Sequence, residues 1–294
     1  MVENPFKEGY TSDDEDDKLI TLSLKGDKRA LETLIKKHQP YVYNIAWKMV
    51  QNPVEAQDVT QEVLIKAVTK LSQFEGRAQF RTWLYRIAVN HFLQMKKQTR
   101  ETIVNEDFEA FSERLASLRD VDLTIMEQEE RREEIREMNL GCMSGMLLCL
   151  TREQRLVYII GELFDADHTI GAELMDISKG NFRIRLSRAR KDLFSFMNNK
   201  CGLVNKANPC RCQKKVTAAM ECGPLDSKNL LFNRKEYGKF QQYISNDADE
   251  MLEIVEEKYR ELHNELPLKE TFDKKTFIDD FLKNERVVSI LNLN

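Results

Sequence analysis

The chain has 294 residues, of which 41% are hydrophobic, enough to bury the cores of two or three small domains. No apolar run approaches the roughly 20 residues that cross a bilayer, and the stretch after Met1, with Glu3, Lys7 and then acids, is the wrong pattern for a secretory leader, so the expected location is the cytoplasm. The formal charge of −4 argues against a nucleic-acid partner only until its distribution is read: residues 77–100 and 179–191 are basic islands, whereas acids gather at 13–17 and 101–137.

Residues 1–17 are polar and acidic without a period and are expected to form a disordered tail. From Lys18 to Val50 the apolar positions Leu19, Leu22, Ala30, Leu34, Tyr41, Ile45 and Met49 predict two helices separated by Gly26-Asp27. Asn52-Pro53 then breaks the chain and opens a third helix, Val54 to Leu71, with Pro53 near its first turn. Its inner stripe is Val59, Val63 and Ala67. Asp58, Gln61, Glu62 and Ile65 fall on an outward stripe, which periodicity alone reads as a solvated face.

Phe74 to Gln98 interleaves Phe74, Phe80, Trp83, Tyr85 and Phe92 with Arg77, Arg81, Arg86, His91, Lys96 and Lys97. Aromatic faces accept unstacked bases while cations follow phosphates, so this pattern suits single-stranded DNA. The opposing reading is plain core, which is preferred for Trp83 and Ile87. Residues 101–140 are acidic, lack Pro and Gly, and have only weak apolar periodicity before the charge-dense EQEERREEIREMN. They predict a solvated linker ending in a helix and joining two modules.

The second module, 141–200, holds a short helix marked by Ile170 and Leu174, a tight Asp176-Ile177-Ser178 connection and a longer helix that Ser178 can N-cap. In the longer helix Phe182, Leu186, Ala189, Leu193 and Phe196 form one buried stripe. Asn181, Arg183, Arg185, Arg188, Arg190 and Lys191 occupy the other faces. This is a helix-turn-helix pattern whose second helix is suited to enter a major groove. An Arg-rich amphipathic helix standing alone is equally a solvated surface.

These blocks share one resemblance. EAQDVTQEVLIKA, the run F-x-G-x-x-x-F-R-T-W-L-Y-R-I-A-x-N and RLSRARKDL together resemble bacterial RNA polymerase sigma factors of the sigma-70 family, extracytoplasmic-function class, over roughly residues 18–215. The resemblance implies an all-α protein in which residues 18–100 form sigma region 2 and 141–200 form region 4. It implies that Asp58, Gln61, Glu62 and Ile65 dock on the clamp helices of the polymerase largest subunit. It assigns Phe74, Arg77, Arg86, Asn90, His91, Gln94 and Lys97 to the minus-ten element, with the loop from Phe74 to Gln79 holding an extruded base. Ser178, Lys179, Asn181, Arg183, Arg185 and Arg188 are assigned to the minus-thirty-five element. The implied partners are core RNA polymerase, including its flap, promoter DNA in duplex and single-stranded form, and an anti-sigma factor as a further candidate. The run Asp165 to Thr169 and Gly171 depart from the family's usual wording where the first helix of the pair begins.

Beyond the second module lie Cys201, Cys210 and Cys212, then Cys222, within a segment 201–222. Six cysteines in a chain without a leader imply reduced thiols or metal ligands. Cys142 and Cys149 sit in apolar context and read as core. Three readings stand for the downstream four: a structural zinc site, a redox-sensitive cluster, and unliganded thiols. No cofactor is otherwise required. Residues 223–294 predict a helical extension over Phe232–Tyr243, Ala248–Leu262 and Thr276–Leu291. The four histidines, His38, His91, His168 and His263, stand in no catalytic spacing, so no enzyme is expected. The alternative function is a stand-alone helix-turn-helix regulator, which leaves the aromatic-basic stretch around Trp83 without a purpose.

Overall fold

The computed structural model describes residues 6, 13–96, 107–222, 225–228, 230, 280–285 and 287–288. Among these the chain is built of helices, with one isolated bridge between Cys201 and Cys210. It divides into two compact units: residues 1–100 with 156–186 and 270–294, and residues 101–155 with 187–269. No described helix is long and apolar enough to cross a membrane.

In the first unit, α1 (Asp13–Leu24), α2 (Lys28–Val50), α3 (Pro53–Thr69) and α4 (Phe80–Gln94) follow one another through short breaks. Each break has a local cause. Asp27 caps α2 by accepting from the Arg29 and Ala30 amides at 2.9 and 3.1 Å, and Gly26 supplies the positive φ of 89° that the preceding turn requires. Asn52 caps α3 by accepting from Val54 and Glu55 at 3.0 and 3.2 Å, with Pro53 in the first turn. The core they enclose is Ile20, Leu34, Ala67, Leu71, Phe80 and Leu84, with Phe74, Trp83 and Ile87 packed against it. Burying each large apolar side chain stabilises by roughly 1.5–3 kcal/mol.

The acidic cluster departs from the expected tail. Residues 13–17 are the opening of α1, and Asp16 is fully buried, 3.0 Å from His38 Nε2 and 2.6 Å from Lys37 Nζ. Tyr85 Oη lies 3.4 Å from the other nitrogen of His38, so one polar chain ties α1, α2 and α4 together. A buried carboxylate with two cationic or hydrogen-bonding partners is tolerated where a solitary one is not.

The same unit contains the helix-turn-helix. The stretch after α8 (Arg152–Tyr158) runs through one π turn, Ile159–Leu163, to α9 (His168–Met175) and the start of α10 (Lys179–Lys200). α9 packs on α4. Phe6 is fully buried among Tyr41, Tyr85 and Phe164, at ring separations of 5.8, 4.8 and 5.3 Å, and its carbonyl accepts from the Asp167 amide at 3.1 Å.

The second unit corrects the expected solvated spacer. α5 (Phe108–Ser117), α6 (Ile125–Glu130) and α7 (Arg132–Leu148) are packed elements, and α11 (Cys212–Glu221) lies on α7. Leu118, Leu123, Ile135 and Met138 pack around Val216, Ala219 and Leu225, while Arg119–Glu221 and Lys214–Asp122 pair at 2.6 Å at the rim. Charges of the former linker therefore meet opposite charges of the cysteine-bearing segment, and the few apolar positions between them suffice for a core. The predicted helices at 232–243 and 248–262 lie outside the described residues. Of 276–291, the described residues include a helical stretch with Phe281 and Val287 fully buried.

Lys48 on α2 is only 4% exposed, and burial pulls its ammonium down from 10.5 to about 7. Because the folded value lies below the unfolded one, the unfolded chain binds more protons between about 7 and 10.5, and stability rises with pH across that window. Lys48→Met is expected to raise neutral-pH stability by on the order of 2–4 kcal/mol and to flatten this rise. Urea unfolding at neutral and alkaline pH measures both effects.

Candidate nucleic-acid interface

The recognition helix is set by the contact beneath it. Ile170 and Leu174 of α9 are buried, Asp176 takes the left-handed conformation with φ 54°, and the Ile177 amide donates to the Ala172 carbonyl at 3.0 Å. Ser178 then accepts from the Asn181 amide at 3.2 Å, the N-cap that its position predicts. The first helix begins at His168, which settles where the departure from the family's wording falls. Phe182 is fully buried, and a Cβ on Gly171 would stand 2.4 Å from its ring, so only glycine admits this approach of the two helices.

With Phe182 and Leu186 inward, Ser178, Lys179, Asn181, Arg183 and Arg188 are exposed and Arg185 is half-buried. Lys179 Nζ donates to Thr169 Oγ1 at 2.8 Å and Arg183 Nε to His168 Nδ1 at 3.2 Å, which orients both cations along the helix-turn-helix face. Ile184, 51% exposed in the midst of them, was missed by charge-based reasoning. A large apolar side chain held in water between cations fits the methyl group of thymine.

On α4, Arg86, Asn90 and Gln94 are exposed at four-residue intervals and share one face. His91 does not join them. It is 6% exposed, with Lys66 Nζ 2.6 Å from Nδ1 and Glu62 Oε2 3.5 Å from Nε2. Burial first, then the Lys66 charge, holds its pKa below the usual imidazole value, with Glu62 partly opposing. One position past Asn90 on a helix, it is turned inward from the face of Arg86, Asn90 and Gln94. Lys97 lies outside the described residues. Ahead of α4, Phe74 is half-buried at 5.6 and 5.5 Å from the rings of Phe80 and Trp83, and Arg77 is exposed beside Glu75 at 2.5 Å. Arg86 is bonded to Asp176 of the helix-turn-helix turn at 2.8 Å. Both groups are largely exposed, so this pair contributes little stability and exchanges readily.

On α3, Asp58 and Glu62 are exposed and Gln61 and Ile65 half-buried, a continuous polar and apolar strip opposite Val59, Val63 and Ala67. In the second unit, Cys201, Cys210 and Cys212 line a cavity of about 440 Å³ together with Cys142, whose apolar sequence context reads as core. Cys222 is exposed and is not among the lining residues. Among the described residues, no group of three or more His, Cys, Asp or Glu is placed so that it could hold a metal ion.

The Sigma-70 region 2 profile matches residues 34–102. The RNA polymerase sigma-H factor of Pseudomonas aeruginosa is 29% identical over 182 residues, 60% of this chain and 91% of that protein. The ECF RNA polymerase sigma-E factor of Haemophilus influenzae is 32% identical over 181 residues, 60% of this chain and 92% of that protein. The ECF sigma factor SigW of Bacillus subtilis is 36% identical over a shorter stretch of 66 residues, 22% of this chain and 35% of that protein.

Two glycines test the geometry of the recognition helix. Gly171→Ala must push the buried Phe182 ring aside and is expected to cost about 1–3 kcal/mol. Gly180→Ala meets nothing nearer than Ser178 Oγ at 4.0 Å and is expected to be neutral or to stabilise by up to about 1 kcal/mol. Thermal unfolding of the two variants measures the difference, and equal losses would contradict the packing.

Proposed function

The chain belongs to the extracytoplasmic-function class of RNA polymerase sigma factors, and on that premise we propose that it binds core polymerase through α3, reads promoter DNA through α4 and α10, and assists strand opening. The observation that carries this reading is the ordered pair of surfaces. One is the Arg86, Asn90 and Gln94 face behind an aromatic loop, and the other is the basic face of a capped recognition helix.

The chemistry follows from the side chains. α10 enters the major groove N-terminus first, so Lys179, Asn181 and Arg183 lead, with Arg185 and Arg188 following toward bases or phosphates. A guanidinium fork bonded to O6 and N7 of guanine discriminates by about 1–3 kcal/mol per pair. At the minus-ten element the task is to hold a base that has left the stack, at a cost of a few kcal/mol. Phe74 rests against Phe80 and Trp83, so the loop it belongs to is anchored to the core, while the exposed Arg77 must exchange its pairing with Glu75 for a phosphate. The exposed Arg86, Asn90 and Gln94 supply donors and acceptors beside it. Stacking and phosphate contacts offset the unpairing cost, and no step calls for nucleotide hydrolysis. For Arg86 to reach DNA, its bond to Asp176 must open, and the exposure of both makes that exchange inexpensive.

Pull-down of core RNA polymerase followed by run-off transcription on a genomic promoter library tests the reading. Association with new promoter-specific transcripts is the expected result. Duplex binding without polymerase would instead mark a stand-alone regulator.

Arg185→Ala and Arg188→Ala are each expected to weaken promoter binding by about 1–3 kcal/mol where the side chain meets a base, with thermal stability retained for the exposed Arg188. Asp58→Arg is expected to abolish retention on core polymerase while leaving the melting temperature unchanged, because Asp58 is exposed. Wild-type promoter-dependent transcription by all three variants would contradict these assignments.

A further inference from the structure

One side chain of the recognition helix is not explained by its cationic character. Ile184 is 51% exposed, and among the described residues it is the one large hydrophobic side chain of α10 left so open to water. A single exposed isoleucine is ordinary on a protein surface, so exposure by itself decides nothing. Its direction does.

An α-helix turns by about 100° per residue. Phe182, Leu186, Ala189 and Leu193 are all buried and fix the inward side of α10. On that count Ile184 stands roughly 170° round the helix from the centre of their stripe. Within the first two turns of α10 it is therefore the residue that points most directly away from the core. On a helix that enters a major groove N-terminus first, that direction leads to the groove floor, where the base edges lie.

The neighbours on that side leave it standing clear. Positions three and four residues away are neighbours on a helix surface, and for Ile184 these are Gly180 and Asn181 one turn before and Ser187 and Arg188 one turn after, all exposed. Gly180 has no side chain and Ser187 has a short one. The fold does not demand the glycine, since a Cβ there would meet nothing nearer than Ser178 Oγ at 4.0 Å, and glycine is a poor helix former. What it provides is room beside Ile184 for a base edge to approach the backbone.

We infer, resting on the reading of α10 as a helix that enters the promoter's major groove, that Ile184 determines specificity by packing against the 5-methyl group of one thymine of the minus-thirty-five element. Of the four bases only thymine presents a methyl group in that groove. Lys179 and Arg183 have donors to offer phosphates and acceptor edges, but nothing that selects a methyl. Ile184 does, because the contact removes apolar surface of both partners from water, an effect of roughly fourfold in affinity for one methyl.

The test uses holoenzyme assembled from core RNA polymerase and the full chain, offered a duplex promoter library with the minus-thirty-five segment randomised. Thymine should be enriched at one position, and Ile184→Ala should lose that enrichment while keeping the others. Deoxyuridine, which lacks only the methyl, is then placed at each enriched thymine in turn. At that one position it should weaken the wild-type complex by roughly fourfold and leave the Ile184→Ala complex unchanged. The melting temperature of the variant should not fall, because the side chain is exposed, and the deoxyuridine scan of the wild type needs no variant to fold. No deoxyuridine effect at any thymine in the wild type, or an equal effect in wild type and variant, would overturn the inference while leaving the sigma reading intact. A library from which the holoenzyme enriches no sequence would overturn both.

Discussion

The ring of Phe182 is the contact on which the direction of the cationic face of α10 depends. It is fully buried against Gly171 of α9 and Gly161 of the preceding π turn, where an added Cβ would come within 2.4 and 3.2 Å of it. Two missing side chains make room for one aromatic ring, and the close approach sets the angle between the two helices of the motif. From that angle follows which residues of α10 face outward. Phe182 and Leu186 point in, so Asn181, Arg183, Ile184 and Arg188 are left in water. A cationic face on a helix is common; a cationic face aimed by a glycine-bounded aromatic wedge has a defined direction.

Much of this was legible in the residues because it rests on short-range rules. The Asn52-Pro53 and Asp27 starts, the Ser178 cap and the buried stripe of α10 all follow from local hydrogen bonding and helical period. What escaped was set by tertiary partners. Asp16 looks like part of a solvated acidic run until His38 and Lys37 are placed beside it. His91 belongs to a basic-aromatic stretch, yet a single helical step past Asn90 turns it inward toward Lys66. Cys142 reads as core because the thiols that share its cavity arrive from the other end of the second unit. The acidic stretch 107–140 packs because Leu118, Leu123, Ile135 and Met138 meet Val216, Ala219 and Leu225, partners that its own composition does not announce.

A net charge of −4 is compatible with DNA binding because the acids are consumed locally. Asp120 and Asp122 pair with Lys215 and Lys214, Glu221 with Arg119, and Asp16 with Lys37. On α10, by contrast, Lys179 and Arg183 have neutral neighbouring partners, Thr169 and His168. Orientation without neutralisation preserves their field for phosphate. Arg86 differs, being engaged by the carboxylate of Asp176 within the same unit, an exposed pair that exchanges readily.

The central claim is that one chain both directs polymerase to duplex promoter DNA and holds the opened strand. Permanganate probing of thymines on a promoter recovered from the transcription library measures this directly. With core polymerase and this chain together, non-template thymines of the minus-ten element should become reactive without any nucleotide triphosphate, and neither component alone should produce the signal. Polymerase recruited to the promoter while those thymines stay protected would contradict the account.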